Sequence, residues 1–228
     1  MRIPLLAFLL FTLMLSVTAA TVVEGSDSPL VEGMVTSEGK GVFGIEINIW
    51  DGQTNRKAVS DSEGRFSIAG LEPGTTFALR STPRNHRSVR ADGFRFPEKG
   101  NLYLSMEYAE TQAGQRHSIR VPSNPSTGYE WFLLQQGDTA VAAFRGNTME
   151  TEAKTEETPG TTEWQPTNQG EWKSPQPSAP PRTGRGGWER WTFQTFGEGQ
   201  SVIVLGYIRP WETGVSPARY HVFSLLVR

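Results

Sequence analysis

Short runs of alternating apolar and polar residues, separated by glycine and proline, recur along most of this chain. In the clearest run, Ile45, Ile47 and Ile49 occupy every second position, which puts them on one face of an extended strand. The chain contains 24 Gly and 15 Pro, 11% of its residues are aromatic, and helical periodicity is scarce. This pattern predicts an all-β fold built from short strands and turns.

The size and composition of the chain limit both its architecture and its partners. Its 228 residues are enough for two small domains, and it has no cysteine. Each domain must therefore be stabilised by its own core, and a thiol nucleophile or a thiolate metal site is excluded. Because the net charge is −2 and no basic stripe stands out, we expect no nucleic-acid partner.

Residues 1–20 have the features of a secretory signal peptide. Arg2 supplies a positive start, residues 3–17 are almost wholly apolar, and residues 17–20 supply small side chains for cleavage. An uncleaved membrane anchor is the alternative, but a span needs about 20 apolar residues. The run here is shorter and contains Pro4. We therefore predict an exported protein, secreted or periplasmic, with no membrane attachment after cleavage.

Residues 29–99 form the first predicted domain, with strands expected at 31–35, 44–50, 65–68 and 76–80. Its motifs are Gly33-x-Val35, Ser60-Asp61-x-x-Gly64-x-Phe66 and Gly70-Leu71-x-Pro73-Gly74. These motifs resemble the carboxypeptidase regulatory-like (transthyretin-like) β-sandwich. They consist of turn and core residues of an accessory module that occurs with many unrelated partners. The resemblance therefore implies a fold and says little about function.

Two acidic residues in this domain could be interpreted as calcium ligands. Asp61 and Glu63 lie in a tight turn, but a calcium site needs six or more oxygen ligands and none are visibly assembled around them. Asp commonly starts turns of this kind. We therefore assign both residues to the turn and expect neither a metal nor a cofactor.

Residues 101–228 form the second predicted domain. Strands are expected at 102–108, 117–121, 130–135, 139–144, 189–196, 202–208 and 220–227. At least seven short strands joined by Gly/Pro turns predict an immunoglobulin-like sandwich, so the whole chain is predicted to contain two β-sandwiches.

A segment of different composition interrupts the second domain. Residues 148–162 are mostly polar and charged, and residues 175–181 are rich in proline. Such a segment buries too little apolar surface to offset the entropy of ordering. We therefore predict a mobile insertion around 146–182, parts of which could be held down by Trp164 or Trp172.

Three loop-like strings in the second domain lie next to predicted strands. The first loop is Asn124-Pro125-Ser126-Thr127-Gly128-Tyr129, the second is Gly184-Arg185-Gly186-Gly187, and the third is Arg209-Pro210-Trp211. Their order and flanking strands resemble the chagasin family, protein inhibitors of papain-like cysteine proteases. The first loop departs from the family motif at Ser126, where threonine is usual.

The resemblance implies a reversible inhibitor that acts by occlusion. In this interpretation the first loop lies over the catalytic cysteine of the protease, and the second and third loops lie on the two sides of its cleft. Pro125 fixes φ and Gly128 permits a turn, so the first loop should be preformed and lose little entropy on binding. We expect a monomeric inhibitor that is not an enzyme, whose partner is a papain-like cysteine protease, and whose 101–228 fragment is active alone.

Two other interpretations remain open. The first is a non-inhibitory envelope binding or adhesion module, for example one that binds carbohydrate on Trp188, Trp191 and Phe193, although alternate aromatics on a sandwich strand are more often core. The second is an accessory subunit of a secreted peptidase. An enzyme is not expected, because the three histidines have no acidic partner at catalytic or ligand spacing and no activated nucleophile is visible. These histidines are His86, His117 and His221.

Overall fold

The computed structural model describes residues 29–83, 87–151 and 186–228, and their regular structure is fourteen β-strands and one short 3₁₀ turn. The prediction of an all-β sandwich fold is confirmed. The strands are β1 (Leu30–Ser37), β2 (Lys40–Gly41), β3 (Glu46–Trp50), β4 (Asn55–Val59), β5 (Arg65–Ala69), β6 (Thr76–Thr82), β7 (Val89–Arg95), β8 (Leu102–Thr111), β9 (Arg116–Ser123), β10 (Glu130–Gln135), β11 (Ala142–Thr151), β12 (Gly187–Thr195), β13 (Gly199–Ile208) and β14 (Arg219–Val227).

The strands form three sheets. The largest has the order β10-β13-β14-β8-β1-β2, with β5 also paired to β1. A four-stranded sheet has the order β4-β3-β6-β7, and a three-stranded sheet has the order β11-β12-β9. Alternate residues of β14 pack into two different cores, since Val222 belongs to the core with the four-stranded sheet and Phe223 to the core with the three-stranded sheet. The largest sheet is therefore the middle layer of the molecule.

The middle sheet joins the two predicted domains. Strand β1 runs parallel to β8 from the pair Val31↔Leu102 to the pair Ser37↔Tyr108, and β8 runs parallel to β14. The backbones of β1 and β8 approach each other closely at Gly33, because a Cβ there would lie 2.0 Å from the carbonyl oxygen of Leu104. The division at residue 100 stays a prediction, but the N-terminal unit (residues 29–99) and the C-terminal unit (residues 101–228) share one sheet and one core.

The motif residues of the N-terminal unit serve its turns and its core. The Ser60 hydroxyl accepts a hydrogen bond from the Ile45 amide at 2.9 Å. The Asp61 carboxylate accepts two turn amides, from Glu63 at 2.9 Å and from Arg65 at 2.8 Å. Both bonds lower the pKa of Asp61, and the bond from the Arg65 amide has the larger effect. They support the assignment of Asp61 to a turn. The transthyretin-like resemblance stays a prediction.

Some predicted boundaries need correction, and others lie outside the described residues. The predicted insertion at 146–182 starts too early, because residues 146–151 belong to β11 and pair with β12. Strands β2, β4 and β7 were not predicted. The predicted signal peptide at 1–20 and residues 152–182 of the insertion, with Trp164 and Trp172, lie outside the described residues. In the part of the chain that the structure describes, no helix is long and apolar enough to cross a membrane.

Candidate functional site

The first and third loops lie side by side because their flanking strands pair. Strand β10 begins where β13 ends, with Glu130 opposite Ile208. The first loop (124–129) leads into β10, and the third loop (209–211) follows β13. The antiparallel pairing therefore brings together two of the three predicted strings at one end of the middle sheet.

The first loop is held in shape by its own hydrogen bonds. Pro125–Thr127 forms a 3₁₀ turn, which ends at Gly128 with a left-handed φ of 76°. Asn124 is the local acceptor: its carbonyl oxygen accepts the Thr127 hydroxyl at 2.7 Å, and its Oδ1 accepts the Ser126 hydroxyl at 2.6 Å. Ser126 and Thr127 are exposed at the tip. The loop therefore has a defined shape, with these two side chains at its tip.

Arg209 ties the third loop to the first. Its Nε donates to the carbonyl oxygen of Thr127 at 3.2 Å, and its guanidinium lies 4.4 Å from the ring centroid of Tyr129. The same group forms an ion pair with Glu212, with Nη1 and Oε1 2.9 Å apart. The hydrogen bond to Glu212 is the main cause that raises the pKa of Arg209. One side chain thus connects both loops while it remains charged.

Trp211 packs its ring edge on Gly128 of the first loop. The indole is 64% exposed, yet a Cβ added at Gly128 would lie 2.3 Å from its Cη2 atom. Only glycine therefore leaves room for the indole at this distance. The two loops form one continuous surface, with Trp211 as its largest exposed apolar side chain.

Tyr207 supports the first loop from below, a role that the sequence did not reveal. Its hydroxyl accepts a hydrogen bond from the Asn124 amide at 2.8 Å. Its ring stacks on Tyr129 with centroids 5.2 Å apart and contacts Trp131 at 4.9 Å. The only sequence signal was its position two residues before Arg209, near the end of β13.

The described part of the second loop lies beside the base of the first. Gly184 and Arg185 fall outside the described residues, Gly186 is exposed, and Gly187 begins β12 opposite Ser123. A groove of about 400 Å³ at this end of the molecule is lined by Gly186, Gly187, Ser123 and Asn124. The structure thus brings the described glycines of the second loop to the same end of the molecule as the other two loops.

A buried carboxylate connects the strands of the first and second loops. Glu189 of β12 accepts the Ser123 hydroxyl at 2.8 Å and the Asn147 side-chain amide at 3.3 Å. Burial raises the pKa of Glu189, and the hydrogen bond from Ser123 opposes that shift. Because Ser123 directly precedes the first loop, Glu189 fixes the spacing between the two loops at their base.

His221 differs from the expectation that the histidines have no acidic partner. His221 does have an acidic neighbour, since Glu107 Oε2 lies 3.6 Å from its Nε2, and its Nδ1 lies 2.7 Å from the Ser105 hydroxyl. Burial lowers the pKa of His221 to about 4 and raises the pKa of Glu107. The Ser105 hydroxyl also lies 3.3 Å from the Tyr220 carbonyl oxygen, to which it can donate. None of the three side chains lines the groove beside the loops, so we assign them a packing role.

His117 packs against the core, away from the site. His117 stacks on Phe223 with centroids 5.4 Å apart, and burial lowers its pKa. His86 lies outside the described residues. Among the residues that the structure does describe, no group of three or more potential metal ligands comes together.

The aromatic residues of β12 do not form a common surface. Trp191 and Phe193 are 4% and 0% exposed and belong to the core. Trp188, which is half-buried, lies 5.3 Å from the guanidinium of Arg120. The possible carbohydrate platform made of these three side chains is therefore not present.

Several solved structures are similar to part of this chain. The cysteine protease inhibitor EhICP2 from Entamoeba histolytica is 23% identical with a TM-score of 0.36, over 56% of this chain and 96% of its own. Amebosin is 20% identical with a TM-score of 0.32, over 56% and 97%. PbICP-C, solved in complex with falcipain-2, is 17% identical with a TM-score of 0.32, over 55% and 89%. A search of curated proteins found no significant match.

A family model supplies the assignment. The model described as "Chagasin family peptidase inhibitor I42" matches residues 110–225, just over half of the chain. The matched range contains all three loops, together with β9 to β13. The chain therefore belongs to the chagasin family of peptidase inhibitors.

Proposed function

We propose that this protein is a reversible inhibitor of papain-like cysteine proteases and that it acts as a monomer, through three loops that occlude the active-site cleft. The observation that carries the proposal is the connection of the first and third loops by Arg209 and by the contact between Trp211 and Gly128. Two loops that are already joined lose little conformational entropy on binding, which favours affinity.

The first loop is the central element of the proposed interface. Ser126 and Thr127 are its exposed tip, and their hydroxyl groups are already bonded to Asn124 within the loop. The tip therefore enters the cleft as a rigid wedge over the catalytic cysteine. Ser126 keeps the hydroxyl of the usual threonine but lacks its methyl group, a difference of about 0.5–1 kcal/mol in buried apolar surface.

The other two loops contact the walls of the cleft on either side of the wedge. Trp211 supplies a large exposed aromatic surface beside Arg209, and such residues often dominate binding energy at interfaces. Gly186 and Gly187 have no side chain, so the backbone of the second loop can approach the opposite wall closely. The glycine contact and the tryptophan contact thus flank the tip of the first loop.

The direct test is inhibition by the full chain. We expect purified protein to inhibit papain, activity to return on dilution, and the inhibitor to remain uncleaved. Trypsin and chymotrypsin should be unaffected, because the wedge offers no substrate-like side chain to a specificity pocket. Full papain activity in the presence of excess folded inhibitor would contradict the proposal, and so would equal inhibition of the serine proteases.

The alternatives differ from the proposal in this assay. A non-inhibitory envelope adhesion or carbohydrate-binding module would leave papain active, and the burial of Trp191 and Phe193 removes the platform that suggested it. An accessory subunit of a secreted peptidase would change the activity of that peptidase without blocking papain. Among the described residues, no observed contact favours either alternative over inhibition.

Export from the cytoplasm is part of the proposal and rests on residues 1–20 alone. The apolar run and the small residues at 17–20 fit cleavage near Ala20. N-terminal sequencing of the exported protein should give a start near Thr21. Retention of the full chain in the cytoplasm would contradict this part of the proposal and leave the inhibition assay unaffected.

A further inference from the structure

The connection between β13 and β14 (residues 209–218) touches the N-terminal unit as well as the first loop. The Arg95 guanidinium donates from Nη1 to the Gly214 carbonyl oxygen at 3.1 Å. The Ser216 hydroxyl donates to the Phe96 carbonyl oxygen at 3.2 Å. Both contacts lie within a few residues of Trp211. The connection is therefore held at its start by Arg209 and further along by residues 95–96.

Strand β14, which follows this connection, contacts the same segment of the N-terminal unit. Tyr220 is only 2% exposed, and its hydroxyl accepts the Arg95 amide at 3.0 Å. Its ring lies edge-on to Phe94 with centroids 4.9 Å apart. The start of β14 is thus buried against the end of β7, which limits how far the preceding loop can move.

The supporting segment is itself well fixed within the N-terminal unit. The Phe96 amide donates to the Thr75 carbonyl oxygen at 2.8 Å, and the Phe96 carbonyl oxygen accepts the Gly74 amide at 3.1 Å. A second Arg95 nitrogen, Nη2, pairs with Glu98 at 2.9 Å. Residues 95–96 can therefore act as a rigid support.

We infer that the N-terminal unit positions the third loop, with Arg95 and the Phe96 backbone as the positioning groups. These residues lie outside the family match at 110–225, so they add a support that the inhibitor domain itself does not contain. The consequence for protease binding rests on the proposed function, whereas the mechanical support does not. Trp211 therefore lies between two anchored parts of the connection, Arg209 before it and residues 214–216 after it.

Amide hydrogen exchange on the full chain tests the support without any protease. Arg95→Ala and Ser216→Ala each remove one contact to the connection and should speed exchange of its hydrogen-bonded amides, those of Glu212 and Ala218. Arg90→Ala is the matched control, because Arg90 lies on the same strand and pairs with Asp92 rather than with the connection. Unchanged exchange in both Arg95→Ala and Ser216→Ala would overturn the inference, and Ser216→Ala decides it if Arg95→Ala does not fold.

Papain inhibition tests whether the support acts through Trp211. Loss of one hydrogen bond should weaken inhibition about fivefold in Arg95→Ala. In a Trp211→Ala background the same change should have little further effect, since the side chain being positioned is gone. An equal loss in both backgrounds would show a general structural effect and overturn the inference. If the wild type does not inhibit papain, the proposed function fails and the exchange experiment alone decides the support.

Discussion

At the scale of single residues, the proposed interface depends on side chains whose partners lie in a neighbouring loop. Arg209 bonds to Thr127 and covers Tyr129, and Trp211 rests on Gly128. Each of these contacts restricts both loops at once. Substitutions here should therefore change binding much more than folding, because the residues are exposed or half-buried.

Trp211→Ala should weaken inhibition of papain by roughly 30-fold, since truncation of a hot-spot aromatic costs about 2 kcal/mol or more. Its melting temperature should stay close to that of the wild type, because the indole is 64% exposed. Phe43→Ala is a matched control: Phe43 is 66% exposed and follows β2, which lies at the opposite edge of the middle sheet from β10. Equal inhibition constants for Trp211→Ala and wild type would contradict the assigned role of the third loop.

Thr127 tests the wedge at its tip. Thr127→Ala should weaken inhibition only modestly, because it removes little contact area. Thr127→Arg should nearly abolish inhibition, since a bulky charged side chain at the exposed tip cannot fit over a catalytic cysteine. Inhibition constants measured with papain compare the two. An inhibition constant for Thr127→Arg equal to that of the wild type would contradict the placement of the first loop in the cleft.

Gly128→Ala separates loop contact from backbone strain. The new Cβ would collide with the indole of Trp211, and the left-handed φ of 76° itself disfavours alanine by roughly 1–2 kcal/mol. Gly114→Ala is the control, because Gly114 has a φ of 81° and an added Cβ there would meet no atom of the described residues within 4 Å. We expect similar losses of stability in both variants but a larger loss of papain inhibition in Gly128→Ala. Equal inhibition by the two variants would show that the contact is unimportant.

At the scale of strands, local periodicity predicted most elements but not their partners. Ile45, Ile47 and Ile49 are all buried, as their spacing predicted. Strand β4 has a polar sequence with exposed and half-buried residues, so it lacks a clear apolar alternation. Strand β14 also lacks alternation, because both of its faces are buried in the middle layer.

The same limit applies to the site. Motif spacing was enough to place the first and third strings between strands, because each keeps its glycine, proline or tryptophan in a local order. Half of the second string, Gly184 and Arg185, lies outside the described residues. The support from Tyr207, Glu189 and Arg95 depends on which strands are neighbours, and that information is not local. The neighbours of His221 were missed for the same reason, since Glu107 is more than a hundred residues away in the chain.

The pairing of β8 with β14 predicts an acid-sensitive fold through His221. Burial lowers the pKa of His221 from 6.5 to about 4, so the unfolded chain binds this proton first as the pH falls. Stability should therefore fall between about pH 6.5 and pH 4, by up to about 3 kcal/mol. The raised pKa of Glu107 acts in the opposite sense, because the folded state takes up that proton more readily.

Thermal melts at pH 7 and pH 4.5 test this assignment. In His221→Gln the difference between the two melting temperatures should shrink, whatever the variant's stability at pH 7. Ser105→Ala is the control, because it removes the Nδ1 partner and keeps the titrating ring. An equal pH dependence in wild type and His221→Gln would assign the effect to other groups.

At the scale of the whole molecule, the shared middle sheet determines which segments of the chain can be deleted without loss of folding. Strand β11 extends to Thr151, which pairs with Gly187. Deletion of 152–182 leaves four residues to close this hairpin, a usual length for such a connection. We expect the deletion to preserve the cooperative melt and papain inhibition. A deletion of 149–178 removes the end of β11 and should lower the melting temperature. Loss of folding in both deletion variants would contradict this expectation.

The fragment 101–228 is the strongest test of how the two units depend on each other. From the sequence, we expect it to inhibit papain alone. The structure shows, however, that one face of β8 and β14 is buried against the N-terminal unit. The residues on this face are Leu102, Leu104, Met106, Tyr108, Tyr220 and Val222. Removal of residues 1–100 would expose them, and burial of each such side chain contributes about 1.5–3 kcal/mol.

We therefore expect the fragment to melt at a lower temperature than the full chain and to self-associate on size-exclusion chromatography. Polar substitutions at Leu104, Met106 and Val222 should restore a monomer, because these side chains face the missing unit. That monomer should inhibit papain, since it contains all three loops, but more weakly than the full chain because Arg95 no longer supports the β13–β14 connection. The contrary outcome is an unmodified fragment that is monomeric and has the melting temperature and the papain inhibition constant of the full chain. That result would show that the N-terminal unit contributes neither to stability nor to the position of the third loop.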